Sequence, residues 1–387
     1  MSRDERTKIL EDLGVKPVIN ACGTLTALGG SVIHEDIVQA WREASKIHVD
    51  MTELHTKAGN LIANLVGAEA AYITNGTAAS LVISVAACMT EGDTEMMLRL
   101  PKTEGMRNEI IVQRLHRNTF DHCIELSGAK IVEIGDEKRT TPQELKEAIN
   151  ESTAAVVYFV FDPQEGVLPL DRVLEVSHER RIPVIVDAAA EIPPTENLGR
   201  YLQMGADLVL FSGGKDIGAP NDTGIILGRR ELVRVCVRLG PHSSEVVDSK
   251  PRGYIGRPMK TSKEDIFAVV AAIKRYVRTD HDQRFREWER KIEYMVSELS
   301  KCSRIGARRA SPSKFDHPRP VSIPRAEIEL REGRTTADDL VRELQRSDPP
   351  IYAYAKDGRL YLNPQCLRDG EEQVIVSRLR SILAEIP

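Results

Sequence analysis

The sequence predicts an α/β fold: a mostly parallel seven-stranded sheet flanked by helices, with a smaller C-terminal α+β domain. Two observations predict the large sheet. Seven short, near-continuous apolar runs recur between residues 70 and 228, and most are separated by stretches of helical periodicity. Strands that are apolar on both faces and alternate with helices belong in a parallel sheet covered on both sides. The third observation is a change of texture near Lys260, where long charged helices replace the strand–helix rhythm.

In chain order, residues 1–12 read as a short polar helix, and PVINACGTLTALGGS reads as an extended loop. EDIVQAWREASK and HTKAGNLIANLVG carry helical periodicity. The expected strands are AAYIT, EIIVQ, KIVEIG, AAVVYFVF, PVIVDAA, DLVLFS and GIILG. TAASLVISVAACM, DHCIELSG, TPQELKEAINES and LDRVLEVSHERR are the helices between them. Only a loop separates DLVLFS from GIILG, which allows that pair to run antiparallel. SKEDIFAVVAAIKRYVR and DQRFREWERKIEYMVSELSK then lead into a strand-and-helix tail. The expected partition is an N-terminal segment 1–45, a large cofactor-binding domain 46–258 and a small C-terminal domain 259–387.

The bulk properties are those of an ordinary folded protein: 387 residues, 41% hydrophobic, 29% charged and a net charge of −5. An acidic balance argues against a general nucleic-acid or membrane-surface partner. The six cysteines are scattered without a CxxC pair, so neither a zinc site nor a disulfide framework is expected. The start MSRDERTKILEDLG lacks an apolar h-region, and no apolar run approaches the roughly 18 residues of a membrane span. A cytoplasmic location is the expectation.

Three motifs carry chemistry. ITNGTAASLVISVAA is a strand, a glycine turn and an apolar helix. The turn presents the N–H groups of Gly76, Thr77 and Ala78 at a helix N-terminus, a natural seat for phosphate, although a plain capped turn reads the same. IPVIVDAAAE places Asp187 at the carboxyl end of a strand, where open α/β sheets bind ligands. A carboxylate there calls for a cationic partner such as a protonated pyridine nitrogen; a helix N-cap is the plainer role. FSGGKDIGAP holds Lys215 in a glycine-rich loop three residues after Ser212. A buried lysine loses its proton easily and can form a Schiff base with a carbonyl. Together the three are the parts a pyridoxal 5′-phosphate site requires. His116, on the loop after EIIVQ, is the preferred ring to stack on the cofactor. His122 falls within the following helix. Glu53 and His55 are polar enough to contact substrate or to cap a helix.

On these residues the chain resembles fold-type I pyridoxal-phosphate enzymes of the aspartate aminotransferase superfamily. Within it, the chain is similar to the selenocysteine synthase-like group that includes D-glucosaminate-6-phosphate ammonia-lyase. The likeness runs from VINACGTL to CLRDGEE and is most specific in GADLVLFSGGKDIGAPNDTGIILGRRELV. It implies that Lys215 holds the cofactor covalently and Asp187 pairs with the ring nitrogen. It further implies that Gly76, Thr77 and Ser212 hold the phosphate, and that His116 and Ala189 pack on the ring's two faces. Enzymes of this kind are homodimers or larger, so Arg257 and Lys260 of GRPMK are candidate anion contacts to a neighbour's site.

The chain also departs from the group. Only some seventeen residues precede VIN, where selenocysteine synthases carry a tRNA-binding domain. Asp216 follows the lysine, and Tyr354 stands where the synthases have an arginine. Transfer chemistry on a charged tRNA is therefore not expected. The expected activity is a lyase performing α,β-elimination on a small amino acid or amino-sugar acid, giving a 2-oxo acid and ammonia. Racemisation or epimerisation is the alternative, followed by transamination.

Overall fold

The computed structural model describes residues 3–160, 165–310, 320, 322–331 and 335–385. The chain divides into two compact units, Ser31–Thr279 and a second made of Met1–Gly30 with Asp280–Pro387.

The larger unit holds seven strands: β1 (Ala70–Thr74), β2 (Glu109–Gln113), β3 (Lys130–Ile134), β4 (Thr153–Phe159), β5 (Val184–Asp187), β6 (Leu208–Ser212) and β7 (Gly224–Gly228). Their order across the sheet is β1-β7-β6-β5-β4-β2-β3. All neighbours run parallel except β7, which is antiparallel to both β1 and β6. The reason is the connection: a loop, not a crossover helix, joins β6 to β7, and parallel strands need the longer path. Phe161, the end of the expected AAVVYFVF strand, lies outside the described residues.

Side chains alternate between the two faces of this sheet. Ile73, Ile111, Val156, Val186, Val209, Phe211 and Ile225 lie on one side, packed with residues of the helices Met51–Val66, Leu170–Glu179 and Lys263–Tyr276. Tyr72, Ile110, Val112, Val157, Phe159, Ile185, Leu210 and Ile226 lie on the other, with the helices Gly76–Thr90 and Arg230–Leu239. Ala79 through Thr90 are buried without a break, so Gly76–Thr90 is an interior helix rather than an amphipathic one.

The helix Lys263–Tyr276 belongs to this larger unit, as does Glu35–Ala44. Boundaries at residues 45 and 258 would place both elsewhere. Apolar packing is the physical reason, since Ile37, Ile266, Val269 and Ile273 share the core of β1–β7. The change of texture near Lys260 marks charge along the helix, not a departure from this core.

The smaller unit is a four-stranded antiparallel sheet in which Ile305–Ala310, Arg325–Leu330, Arg359–Leu362 and Tyr354–Lys356 are successive neighbours. Asp357 and Gly358, both at positive φ, make the tight turn joining its last two strands in the chain. The helices His281–Leu299, Ala337–Arg346 and Glu371–Glu385 bury Ile292, Leu340 and Leu379 with Ile328 and Leu360 of the sheet. Part of PVINACGTLTALGGS is regular, contrary to the loop expectation: Ile19–Asn20 pairs in parallel with Ile351–Tyr352. Thr26–Leu28 forms a 3₁₀ turn.

Candidate active site

Asp187, Ser212 and the turn at Gly76 lie at the carboxyl ends of the parallel strands. Asp187 is the last residue of β5 and Ser212 the last of β6. Because β7 runs backwards, its first residue, Gly224, lies at the same end and pairs with both Ser212 and Thr74.

The helix turn at Gly76 forms the first half of the site. Gly76 has φ +75°, a conformation that side chains disfavour, and the N-cap Asn75 makes no side-chain hydrogen bond to the helix. The first-turn N–H groups of Gly76, Thr77 and Ala78 therefore lack the usual side-chain cap. The Thr77 hydroxyl is buried and has no hydrogen-bond partner among the described residues. A Cβ on Gly224 would stand 2.5 Å from the Gly76 carbonyl carbon and 2.7 Å from the Thr77 nitrogen. Strand β7 thus reaches this turn only because Gly224 has no side chain. An uncapped helix end with an orphaned hydroxyl and a glycine wall suits a phosphate group.

The second half contains Lys215. The glycines before it fit against the returning chain, since a Cβ on Gly213 would meet Thr223 Oγ1 at 2.1 Å and one on Gly214 would meet Asn221 Cα at 2.3 Å. Burial lowers the proton affinity of the Lys215 amine, and the charges of Asp187 and Glu191 partly restore it. Burial pushes the Asp187 carboxyl up to about 6, against the pull of an N–H donated by Ala189 (3.0 Å) and the charge of Lys215. A base-like amine facing a buried carboxylate suits a carbonyl-bearing cofactor with a basic ring nitrogen.

Ala189 sits beside this pair, and its carbonyl accepts from the Ser212 N–H at 3.4 Å. His116 is 1% exposed, with its ring edge-on to Tyr158 at 4.6 Å. Tyr158 and Phe159 pair with Val186 and Asp187, so His116 packs one strand away from the carboxylate. His122 lies on the surface against Glu125.

Glu53 does not join this cluster, and Arg257 and Lys260, expected to reach a neighbour's site, lie outside it. Glu53 is exposed and ion-paired with Lys57 at 3.6 Å, one helical turn on. Arg257 and Lys260 are exposed, and their charges act on His242.

Sequence reading missed Glu191, a carboxylate 5% exposed that acts on Lys215. The signal was present, four residues after Asp187, in the turn where the Glu191 N–H bonds the Ala188 carbonyl. Asp216 was noted only as a variation. It accepts a 2.8 Å hydrogen bond from the Tyr276 hydroxyl, which ties the lysine loop to the helix Lys263–Tyr276.

Comparisons with known proteins agree with this geometry. Over 97% of each chain, the protein is 32% identical to D-glucosaminate-6-phosphate ammonia lyase of Salmonella typhimurium. It is also 32% identical to a 5′-C-glycyluridine monooxygenase-decarboxylase of a Streptomyces species, over 97% of this chain and 92% of that one. A solved structure of D-glucosaminate-6-phosphate ammonia-lyase superposes with a TM-score of 0.82 at 31% identity, covering 98% of both chains. Residues 33–319 match the aminotransferase class-V family. On that match, the chain belongs to the aminotransferase class-V family of pyridoxal 5′-phosphate enzymes.

Proposed function

We propose that the protein is a lyase that eliminates across the α- and β-carbons of a small amino acid or amino-sugar acid, releasing a 2-oxo acid and ammonia. The observation that carries this reading is Lys215: a half-buried residue whose amine has a proton affinity lowered by burial and partly restored by the charge of Asp187, in a chain alike over 97% of its length to an ammonia lyase.

Bound pyridoxal phosphate supplies an electron sink that stabilises negative charge at the substrate α-carbon. The residues of the chain do the rest. The Gly76–Ala78 N–H groups, the Thr77 hydroxyl and Ser212 bind the phosphate and fix the ring's position. Asp187 holds a proton at the ring nitrogen by charge pairing, which removes the cost of its own burial. Ala189 would pack against one face of the ring, whereas His116, 1% exposed, is enclosed by protein and presents no open face to it. The Lys215 amine would take the α-proton as general base, a role that its lowered proton affinity favours. Glu191 supplies a second negative charge to hold that proton on the amine. A homo-oligomer in the cytoplasm is part of the same reading.

A second reading has a specific basis. The glycyluridine relative is equally identical, and its name describes a monooxygenase-decarboxylase. One experiment separates the two. Purified holoenzyme is incubated with D- and L-amino acids and amino-sugar acids, and 2-oxo acid, ammonia, carbon dioxide and oxygen uptake are followed together. Equal release of 2-oxo acid and ammonia without oxygen uptake is expected. Decarboxylation with oxygen consumption and no ammonia would overturn the lyase reading.

A further inference from the structure

Lys215 stands between two residues that are tied down from far along the chain. Behind it, the Gly214 carbonyl accepts from the Ser31 N–H at 3.0 Å and from the Ser31 hydroxyl at 3.1 Å, a partner 183 positions away. Ahead of it, the Asp216 carboxylate accepts from the Tyr276 hydroxyl at 2.8 Å, from 60 positions away.

The loop does not supply the first tie itself. Within it, the Gly213 N–H donates to Thr223, the Ala219 N–H to Gly213 and the Gly218 N–H to Lys215. Among the described residues, the donors to the Gly214 carbonyl are those of Ser31. Gly213 and Gly214 need to be bare to pass Thr223 and Asn221, and the same bareness leaves the peptide between Gly214 and Lys215 free to turn. A peptide unit is planar, so two donors on the Gly214 oxygen also fix the direction in which the Lys215 nitrogen and Cα leave it. The lysine side chain starts from that Cα.

Ser31 ends the segment PVINACGTLTALGGS, to which the sequence assigns no function. Its placement is built locally. Gly29 and Gly30 have φ of +82° and +72°, and the Gly30 N–H donates to the Leu25 carbonyl at 2.9 Å, which closes the turn just before the serine.

We propose that Ser31 is a positioning residue for the reactive amine: it holds the chain on one side of Lys215 as Tyr276, through Asp216, holds it on the other. The inference rests on Lys215 as the point of cofactor attachment, part of the reading above, and on no particular reaction.

Ser31→Ala is the test variant. It deletes the 3.1 Å bond and keeps the 3.0 Å one, so the loop is loosened and not released. In cofactor-free protein, the pH midpoint for reductive methylation of Lys215 should rise, because a looser loop relieves the burial that lowers the amine's proton affinity. With added pyridoxal phosphate, the maximal rate of borohydride-stable attachment to Lys215 should fall about tenfold or more, an order-of-magnitude figure for a misplaced reacting group. The cofactor concentration that gives half this rate should stay at its wild-type value, since the Gly76–Ala78 turn is untouched. Ser31→Thr, which keeps a hydroxyl, should restore both midpoint and rate. Tyr276→Phe should move both in the same directions as Ser31→Ala. A wild-type midpoint and rate in Ser31→Ala would overturn the role of Ser31, as would a loss that Ser31→Thr does not restore. Neither result touches the assignment of Lys215, which attachment in Lys215→Ala tests separately.

Discussion

Asp187 and Lys215 act on each other's charge across the carboxyl end of the sheet, while burial presses both towards neutrality. The pair is therefore costly to fold around without the cofactor, and useful once a basic ring nitrogen and a carbonyl are supplied.

The cost is measurable in cofactor-free protein. The Asp187 carboxyl rises from 3.8 to about 6 on folding. Below the lower value both states are protonated and nothing is lost. Between the two values the folded state holds the extra proton, so stability falls as pH rises and stays reduced above about 6. A difference of roughly two pH units amounts to at most about 3 kcal/mol. Asp187→Asn removes it, so the cofactor-free variant should be more stable than wild type at pH 7 and equal to it near pH 4. His55 works in the opposite sense over an overlapping window, losing stability as pH falls from 6.5 towards 4. The difference between variant and wild type in urea melts, rather than either curve alone, isolates Asp187. A variant less stable at pH 7 would contradict the assignment.

Glu191 and Asp187 both raise the proton affinity of Lys215. In cofactor-free Glu191→Gln the midpoint for modification of the Lys215 amine should fall. The rate of reductive methylation at Lys215, followed by peptide mass spectrometry across pH, reads it directly. An unchanged midpoint removes Glu191 from the site.

Lys215→Ala should abolish borohydride-stable attachment of the cofactor while leaving the far-ultraviolet circular dichroism unchanged. Cofactor that remains covalently fixed to the variant would place the attachment elsewhere.

Gly224→Ala puts a methyl group 2.5 Å from the Gly76 carbonyl carbon, where only backbone can move. The turn must open, so cofactor retention on gel filtration should fall tenfold or more, by an order-of-magnitude reckoning of a lost charge-assisted contact. The same variant should lose about 1–3 kcal/mol of stability, as overpacked sites do. Full retention would mean that the helix turn is not the phosphate seat.

Tyr276→Phe deletes the hydrogen bond to Asp216 and should cost about 1.5–3 kcal/mol, the range for bonds to charged groups. Chemical denaturation measures it. A loss below about 0.5 kcal/mol would show that the lysine loop does not depend on this tie.

The large sheet was legible because most of its strands are apolar on both faces and cannot be mistaken for surface, the edge strand Lys130–Ile134 excepted. AAYIT is buried at all five positions, and GIILG likewise. Lys215, Asp187 and Gly76 were legible for a related reason: each breaks the pattern of a buried element at its end. Glu191 was not, since a glutamate after three alanines resembles a solvated turn until the fold encloses it. His55 was equally opaque. It lies in a helix whose apolar stripe suffices to explain its burial, and its partner His242 is 187 positions away, a contact that only the folded chain brings about. The helix Lys263–Tyr276 was assigned by its charge, whereas its position is decided by Ile266, Val269 and Ile273 on the opposite side.

The reversed strand β7 constrains how this protein can vary. A hairpin register moves in whole residues, and a slip of one turns every side chain to the other face. Between Gly213 and Thr223, adding or deleting a residue must either be absorbed in the loop or transmitted to the pairing of Ser212 with Gly224. Either course displaces the lysine or the wall of the phosphate seat. Length variation is therefore far more permissible in the exposed hairpin formed by Ser244–Val247 and Lys250–Gly253.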